Sequence, residues 1–413
     1  MKVEVEVVSK EIITPSSPTP AHLRHYQLSS LDQLPPLVYN PLVLFYEFND
    51  KTVVPNITEI SSHLKKSLAE VLTIFYPLAG RIKHDDWCVD CTDEGIPYLE
   101  AHVNCKLSDF LKNPIPDQLS KFMPFELDDH IGKELSLGVQ LSIFECGGFA
   151  IGQCFSHMLA DASSYFMFSK TWAAKARGES NIEHPDFLSG TRFPLKDVMA
   201  YDSSFNATRS KVTKRFLFNA SMIEAFKEKY GESAVGLEEN QKRPSRVDAL
   251  TSSYGVDIWP IPSRLQELIM RSCPLLSTGD ACNAYGRAMS EVREEINKVD
   301  NECAKGLQQG GEHSGLPMNE NAARLLELEV VALGFSSYCR FPAYDNDFGW
   351  GSPAWVFSAP LTFKNITAFM DTNEGDGIEA YIGLEEQLMA EFETDAEFMA
   401  YVSPMGAEES FGC

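Results

Sequence analysis

Helical spacing is clearest over residues 57 to 76, where Ile60, Leu64, Leu68, Val71, Leu72 and Phe75 fall on one face of an amphipathic helix. Pro77 stops the pattern and Gly80 permits the turn that follows. Alternation marks strands elsewhere. Residues 1–9, Met-Lys-Val-Glu-Val-Glu-Val-Val-Ser, read as a first strand that ends at Ser16-Ser-Pro-Thr-Pro20. Short strands are expected around Trp87–Asp90 and Tyr98–Val103. A hairpin follows: Leu137–Glu145 alternates, Cys146-Gly147-Gly148 turns, and Phe149–Phe155 returns. Ser163 to Arg177 then predicts a helix closed by Gly178.

From Glu179 to about Arg215 no period is sustained, and the length suits a crossover between domains better than a plain loop. Beyond it the pattern predicts a strand at Phe216–Asn219, a helix from Ser221 and a polar helix over 289–308. Strands are expected at Val330–Tyr338 and Trp355–Ser358, and one amphipathic helix over Glu385–Tyr401. Strands and helices mix without regular βα alternation, so the fold class is mixed α+β in α/β layers. No glycine-rich dinucleotide or phosphate loop is present.

A length of 413 residues allows two or three domains, and 44% hydrophobic with 23% charged residues is an ordinary globular balance. Net charge is −24, which argues against nucleic acid or an anionic membrane as partner. From Asn365 to Cys413 the chain has twelve acidic residues and no Lys or Arg, so an anionic ligand is expected to bind elsewhere. The charged, alternating start reads as a strand rather than a secretory leader, and no apolar run is long enough to span a bilayer. Ten scattered cysteines read as free thiols of a reducing compartment, so the expected location is the cytoplasm. Cys88 and Cys91 have the spacing of half a zinc site without a second pair, and no metal is expected. The sequons at Asn56, Asn206, Asn219 and Asn365 carry no role in such a compartment.

The candidate chemistry begins at His157-Met-Leu-Ala-Asp161, between the returning hairpin strand and the next helix. A histidine there can act as a general base, because its ordinary pKa lies near physiological pH. The same spacing also reads as a capped helix start. A second marker is Asp347-Phe-Gly-Trp-Gly351, preceded by Ser336-Ser-Tyr-Cys-Arg-Phe-Pro342. Further markers are Ser17-Pro-Thr-Pro20, Leu31-Asp-Gln33, Phe75-Tyr-Pro-Leu-Ala-Gly-Arg81, Glu145-Cys-Gly-Gly148 and Gly375-Asp-Gly-Ile-Glu379.

Together these resemble the plant BAHD family of coenzyme A-dependent acyltransferases, and within it the alkaloid acetyltransferases. The resemblance implies two similar-sized chloramphenicol-acetyltransferase-like domains, at 1–198 and 213–413, joined by a crossover at 199–212. It implies that 345–367 packs on the first domain. It implies a monomer that holds no permanent cofactor and takes acyl-CoA, with acetyl-CoA first in line, as co-substrate. The acceptor would be a hydroxylated alkaloid or similar specialised metabolite. His157 would be the base, and Asp161 a structural residue paired with an arginine. Asp347 would likewise be structural, through an ion pair, with Gly349 and Gly351 allowing tight turns and Trp350 in the core. Tyr338 stands where related transferases carry an indole that donates to the oxyanion, and could donate or simply fill the cavity. Ser245 and Arg246 match a stretch near the cofactor phosphates, or make a polar helix start.

Two departures from the family stand out. Ala162 replaces a glycine after Asp161. Over Thr251–Met270 the chain is shortened and interrupted by Gly255, Pro260 and Pro262, and the stretch that ordinarily supplies the arginine for Asp161 is absent. Arg264 or Arg271 could stand in. The alternative reading is therefore a catalytically impaired ligand- or partner-binding relative.

Overall fold

A computed structural model of the chain describes residues 2–48, 56–112, 114–126, 134–196, 211–233, 245–250, 305, 306, 308, 334–358 and 363–402. The expected helix over 289–308 and the shortened interval 251–270 lie outside these residues. Two compact units are present: residues 1–204 with 340–362, and 205–339 with 363–405.

The first unit is built on a six-stranded sheet. Its strands are β1 (Val5–Ile13), β3 (Tyr39–Tyr46), β6 (Ile96–Val103), β7 (Leu137–Phe144), β8 (Phe149–Ser156) and β11 (Trp355–Phe357), in the order β1-β6-β7-β8-β3-β11. A three-stranded sheet, β2 (His25–Gln27), β5 (Cys88–Asp90) and β4 (Arg81–Lys83), lies in the same unit. Every residue of β7 and β8 is buried, so both faces of the large sheet are covered there. Helices α1 (Ile57–Ile74) and α3 (Ala162–Ala176) pack together, with Trp172 of α3 donating its indole N–H to Ser67 Oγ of α1 at 3.0 Å. Opposite them, Phe122 packs edge-on to Phe45 and lies so close to β8 that a Cβ on Gly152 would sit 1.9 Å from the Phe122 carbonyl oxygen. A short helix, α2 (Leu107–Leu111), follows β6, and α4 (Ser189–Arg192) precedes the end of the described part of this unit.

The hairpin forms as its alternation predicts, with Gly147 at φ +87° in the turn. Two features differ from expectation and one agrees. β3 carries no alternation and was not expected, yet it occupies the interior of the sheet between β8 and β11. The first strand, with a bulge at Val8, runs to Ile13 and stops before Ser16–Pro20, as those turn residues predict. Residues 211–215, expected within the crossover, belong to β9 (Lys211–Phe218).

The second unit contains a four-stranded sheet, ordered β10 (Gly334–Ser337), β12 (Ile366–Asp371), β13 (Ile378–Glu385) and β9. One face buries Phe216, Phe218, Phe369, Ala380 and Ile382 under α5 (Ala220–Ser233) and the C-terminal helices. The single helix expected over Glu385–Tyr401 is two: α6 (Glu386–Phe392) and α7 (Ala396–Met399). Asp395 causes the break, its carboxylate accepting from the Phe398 amide at 2.6 Å and so starting a second helix.

Candidate active site

β8 ends at Ser156, and its carbonyl accepts from the amides of Leu159 and Ala160 at 3.0 and 3.1 Å, which turns the chain toward α3. His157 opens this turn. Its amide donates to the carbonyl of Val38 at 2.8 Å, tying the turn to the segment before β3. The side chain is half-buried, and its Nδ1 is shielded from solvent without a partner in hydrogen-bonding geometry. Burial lowers the imidazole pKa; its own backbone, the charge of Asp161 and the backbone of Ala160 pull the other way. The result is a neutral imidazole at physiological pH, the form a general base needs.

Asp161 is extended (φ −82°, ψ −178°), and its Oδ1 accepts from the Ser164 amide at 2.8 Å, making it the N-cap of α3. The side chain is therefore turned to the helix rather than serving as the acid of a triad. It makes no ion pair among the described residues, and Arg264 and Arg271 lie outside them. Ala162 is the first residue of α3 and does not disturb the cap.

The second motif packs at the other end of the same helix. Phe348 is fully buried, edge-on to Trp172 of α3 at 4.9 Å and to Tyr46 of β3 at 6.0 Å. Asp347 was expected in an ion pair. Among the described residues its Oδ1 instead accepts from the amides of Gly349 and Gly351 at 2.7 and 2.8 Å. Both glycines hold positive φ, +105° and +102°, which permits that tight wrap. Trp350, expected in the core, is half-buried against Phe149 and His63. Arg177, the C-cap of α3, donates to the Asp347 carbonyl while pairing with Glu179 at 2.6 Å. Fifteen residues of helix separate the two ends, a span of roughly 20 Å, so this motif sits well away from His157.

In the second unit, Tyr338 follows β10 and its amide donates to the Phe369 carbonyl at 2.8 Å. Burial raises its phenol pKa, and the Ser336 hydroxyl partly offsets that, so the O–H stays protonated as a donor. Ser245 and Arg246 form a helix start. The Ser245 amide donates to Asp248 Oδ2 at 2.9 Å and the Asp248 amide to Ser245 Oγ at 3.1 Å, a reciprocal cap. Arg246 pairs with Asp371 at 2.7 Å and donates to the Gly375 carbonyl at 2.9 Å. Both residues thus form the polar helix start that the sequence also allows, with Arg246 held within its own unit.

Cys88 and Cys91 are buried free thiols, and the described residues contain no group of three or more metal-ligating side chains. No described helix is long and apolar enough to cross a membrane. Sequence reasoning missed Val38 and Arg177. A basic residue at a helix end is a visible signal, but the carbonyl it grips lies 170 residues away.

Comparison with known proteins supplies the family. A model described as the Transferase family matches residues 3–254 and 278–399, and the break overlaps the interval where the sequence departs from the BAHD pattern. A limonoid 21-O-acetyltransferase of Melia azedarach is 35% identical, over 97% of this chain and 98% of its own. That alignment runs over 446 positions against a chain of 413, so at least 33 of them have no counterpart here. Stemmadenine O-acetyltransferase of Catharanthus roseus is 35% identical over 96% and 97%, and vinorine synthase of Rauvolfia serpentina 34% over 94% and 96%. The crystal structure of vinorine synthase aligns with a TM-score of 0.79 at 28% identity, covering 98% of this chain and all of that one. F. sporotrichioides TRI101, solved with coenzyme A and T-2, shares the fold at a TM-score of 0.64 and 17% identity, over 92% of this chain and all of its own.

Proposed function

Because the chain belongs to the Transferase (BAHD) family of acyltransferases, we propose that it moves the acetyl group of acetyl-CoA onto a hydroxyl of an alkaloid or similar polycyclic plant metabolite. Relatives named for both alkaloid and limonoid acceptors support that breadth. The observation that carries the mechanism is His157, a half-buried imidazole kept neutral by burial at the junction of β8 and α3.

His157 takes the proton of the acceptor hydroxyl as its oxygen attacks the thioester carbonyl. The tetrahedral oxyanion collapses and expels the coenzyme A thiolate, which recovers the proton from the imidazolium. The products are an acetate ester and free coenzyme A, with no acyl-enzyme and no resident cofactor. Nδ1 is shielded beside the backbone of His157 and Ala160, so the chemistry is assigned to Nε2. Asp161 contributes the start of α3 and some charge, and Asp347 with Gly349 and Gly351 holds the far end. A cytoplasmic location suits the free thiols among the described residues, which a reducing compartment keeps.

The test is thiol release from acetyl-CoA with a panel of alkaloid and limonoid alcohols, and the ester identified by mass. Turnover no greater than that of His157→Ala would overturn the reading and favour an impaired, binding-only relative.

A further inference from the structure

The marker Leu31-Asp-Gln33 has no part in the chemistry above, yet it lies between two attachments to the His157 turn. On one side, Leu28 is fully buried in a cluster with Met158. On the other, the Val38 carbonyl accepts the His157 amide at 2.8 Å. Between them Asp32 closes a tight turn. A single oxygen, Oδ2, accepts from both the amide and the hydroxyl of Ser29 at 2.7 Å, and the Asp32 amide returns to the Ser29 carbonyl at 3.1 Å. The connection onward is stiff. Leu34 bonds back to Leu31 at 3.3 Å, Pro35 and Pro36 follow, and the Val38 amide closes on the Pro36 carbonyl at 2.8 Å. Gln33 is buried and fixes the outer side, with Nε2 donating to the Lys196 carbonyl and Oε1 accepting from the Lys196 amide, both at 3.1 Å.

We propose that Asp32 is a positioning residue for His157: its Oδ2 closes the 29–32 turn that spaces Leu28 from Val38 and so holds the imidazole in its half-buried setting. The proposal rests on His157 as the base. Burial lifts the Asp32 carboxyl above the usual carboxylate range; the Ser29 bonds pull it down and the nearby charge of Asp161 pushes it up again. Because both Ser29 bonds fall on one oxygen, an amide can replace the carboxylate without opening the turn.

The experiment follows the imidazole directly. Diethyl pyrocarbonate labelling across pH, read at the His157 peptide by mass spectrometry, gives its titration midpoint, and steady-state kinetics give kcat and KM. In Asp32→Ala the midpoint should rise toward the ordinary histidine value, and kcat should fall by about 10- to 100-fold, the scale of a misplacement near 1 Å, with little change in KM. Asp32→Asn should restore both. Ser29→Ala, which deletes one of the two donors, should shift both in the Asp32→Ala direction but less, and serves if Asp32→Ala does not fold. An unmoved midpoint with full kcat in Asp32→Ala overturns the proposal, and so does an Asp32→Asn as impaired as the alanine variant. Loss of turnover in every form, with the midpoint shifting as stated, would count against the proposed reaction and not against the positioning.

Discussion

Burial sets the sign of two pH effects at His157. A base must be neutral, and its pKa is lowered, so the acid limb of kcat/KM should fall below the ordinary value of about 6.5. Stability moves with it. The unfolded chain binds this proton more readily than the folded one, so the cost to folding grows as pH drops from the ordinary imidazole value to the lowered one. An acid limb at or above the ordinary value would contradict the burial. His157→Ala should lower kcat by about 10²–10⁴-fold, the usual share of general-base help. Arg246 offers a second test at this scale. Its ion pair with Asp371 and its bonds to the 375–376 turn are structural, so Arg246→Ala should cost about 1–3 kcal/mol in thermal denaturation and leave KM for acetyl-CoA unchanged. A raised KM would return Arg246 to the cofactor phosphates.

At the scale of elements, Asp161 matters as a helix cap. Asp161→Ala should destabilise by about 0.5–2 kcal/mol, and Asp161→Asn by far less, since an asparagine oxygen caps as well. Equal losses in a denaturant titration would point to charge instead. Much of this level was legible in the chain. α1, the β7–β8 hairpin and α3 each carry their period and their stop signal, and the turn bearing His157 sits where a strand pattern meets a helix pattern. β3 was not legible. A strand buried on both faces does not alternate, and Pro41 argues against an interior strand. It is tolerated because β11 pairs only with Val43–Phe45, leaving Pro41 beyond that ladder. The split of the last helix was hidden because helical spacing continues across Asp395. The partners of Asp347 and Arg246 were hidden for other reasons. Arg246 meets a carboxylate 125 residues away, which the fold decides and local spacing does not; Asp347 meets amides only two and four residues on, but the wrap depends on the positive φ of Gly349 and Gly351, which spacing alone does not announce.

For the molecule as a whole, a net charge of −24 repels an anionic donor such as acetyl-CoA. Raising ionic strength from about 0.01 to 0.15 M shortens the screening length from about 30 to 8 Å, so kcat/KM for acetyl-CoA should rise over that range. A fall would reveal a cationic entry that outweighs the overall field.

The strand β11 has a consequence for synthesis. Trp355 pairs with Phe45 and stacks on its ring at 5.5 Å, but some three hundred residues separate them along the chain. On the ribosome the first unit emerges with one sheet edge bare, and it waits for that strand while residues 205–339 of the second unit are made. At about 5–20 residues per second, the wait is on the order of ten seconds or more. A gene cut after residue 204 should therefore yield an aggregating product, and co-expression of residues 340–362 as a separate peptide should improve its solubility. The unit that holds the base is finished only near the end of translation.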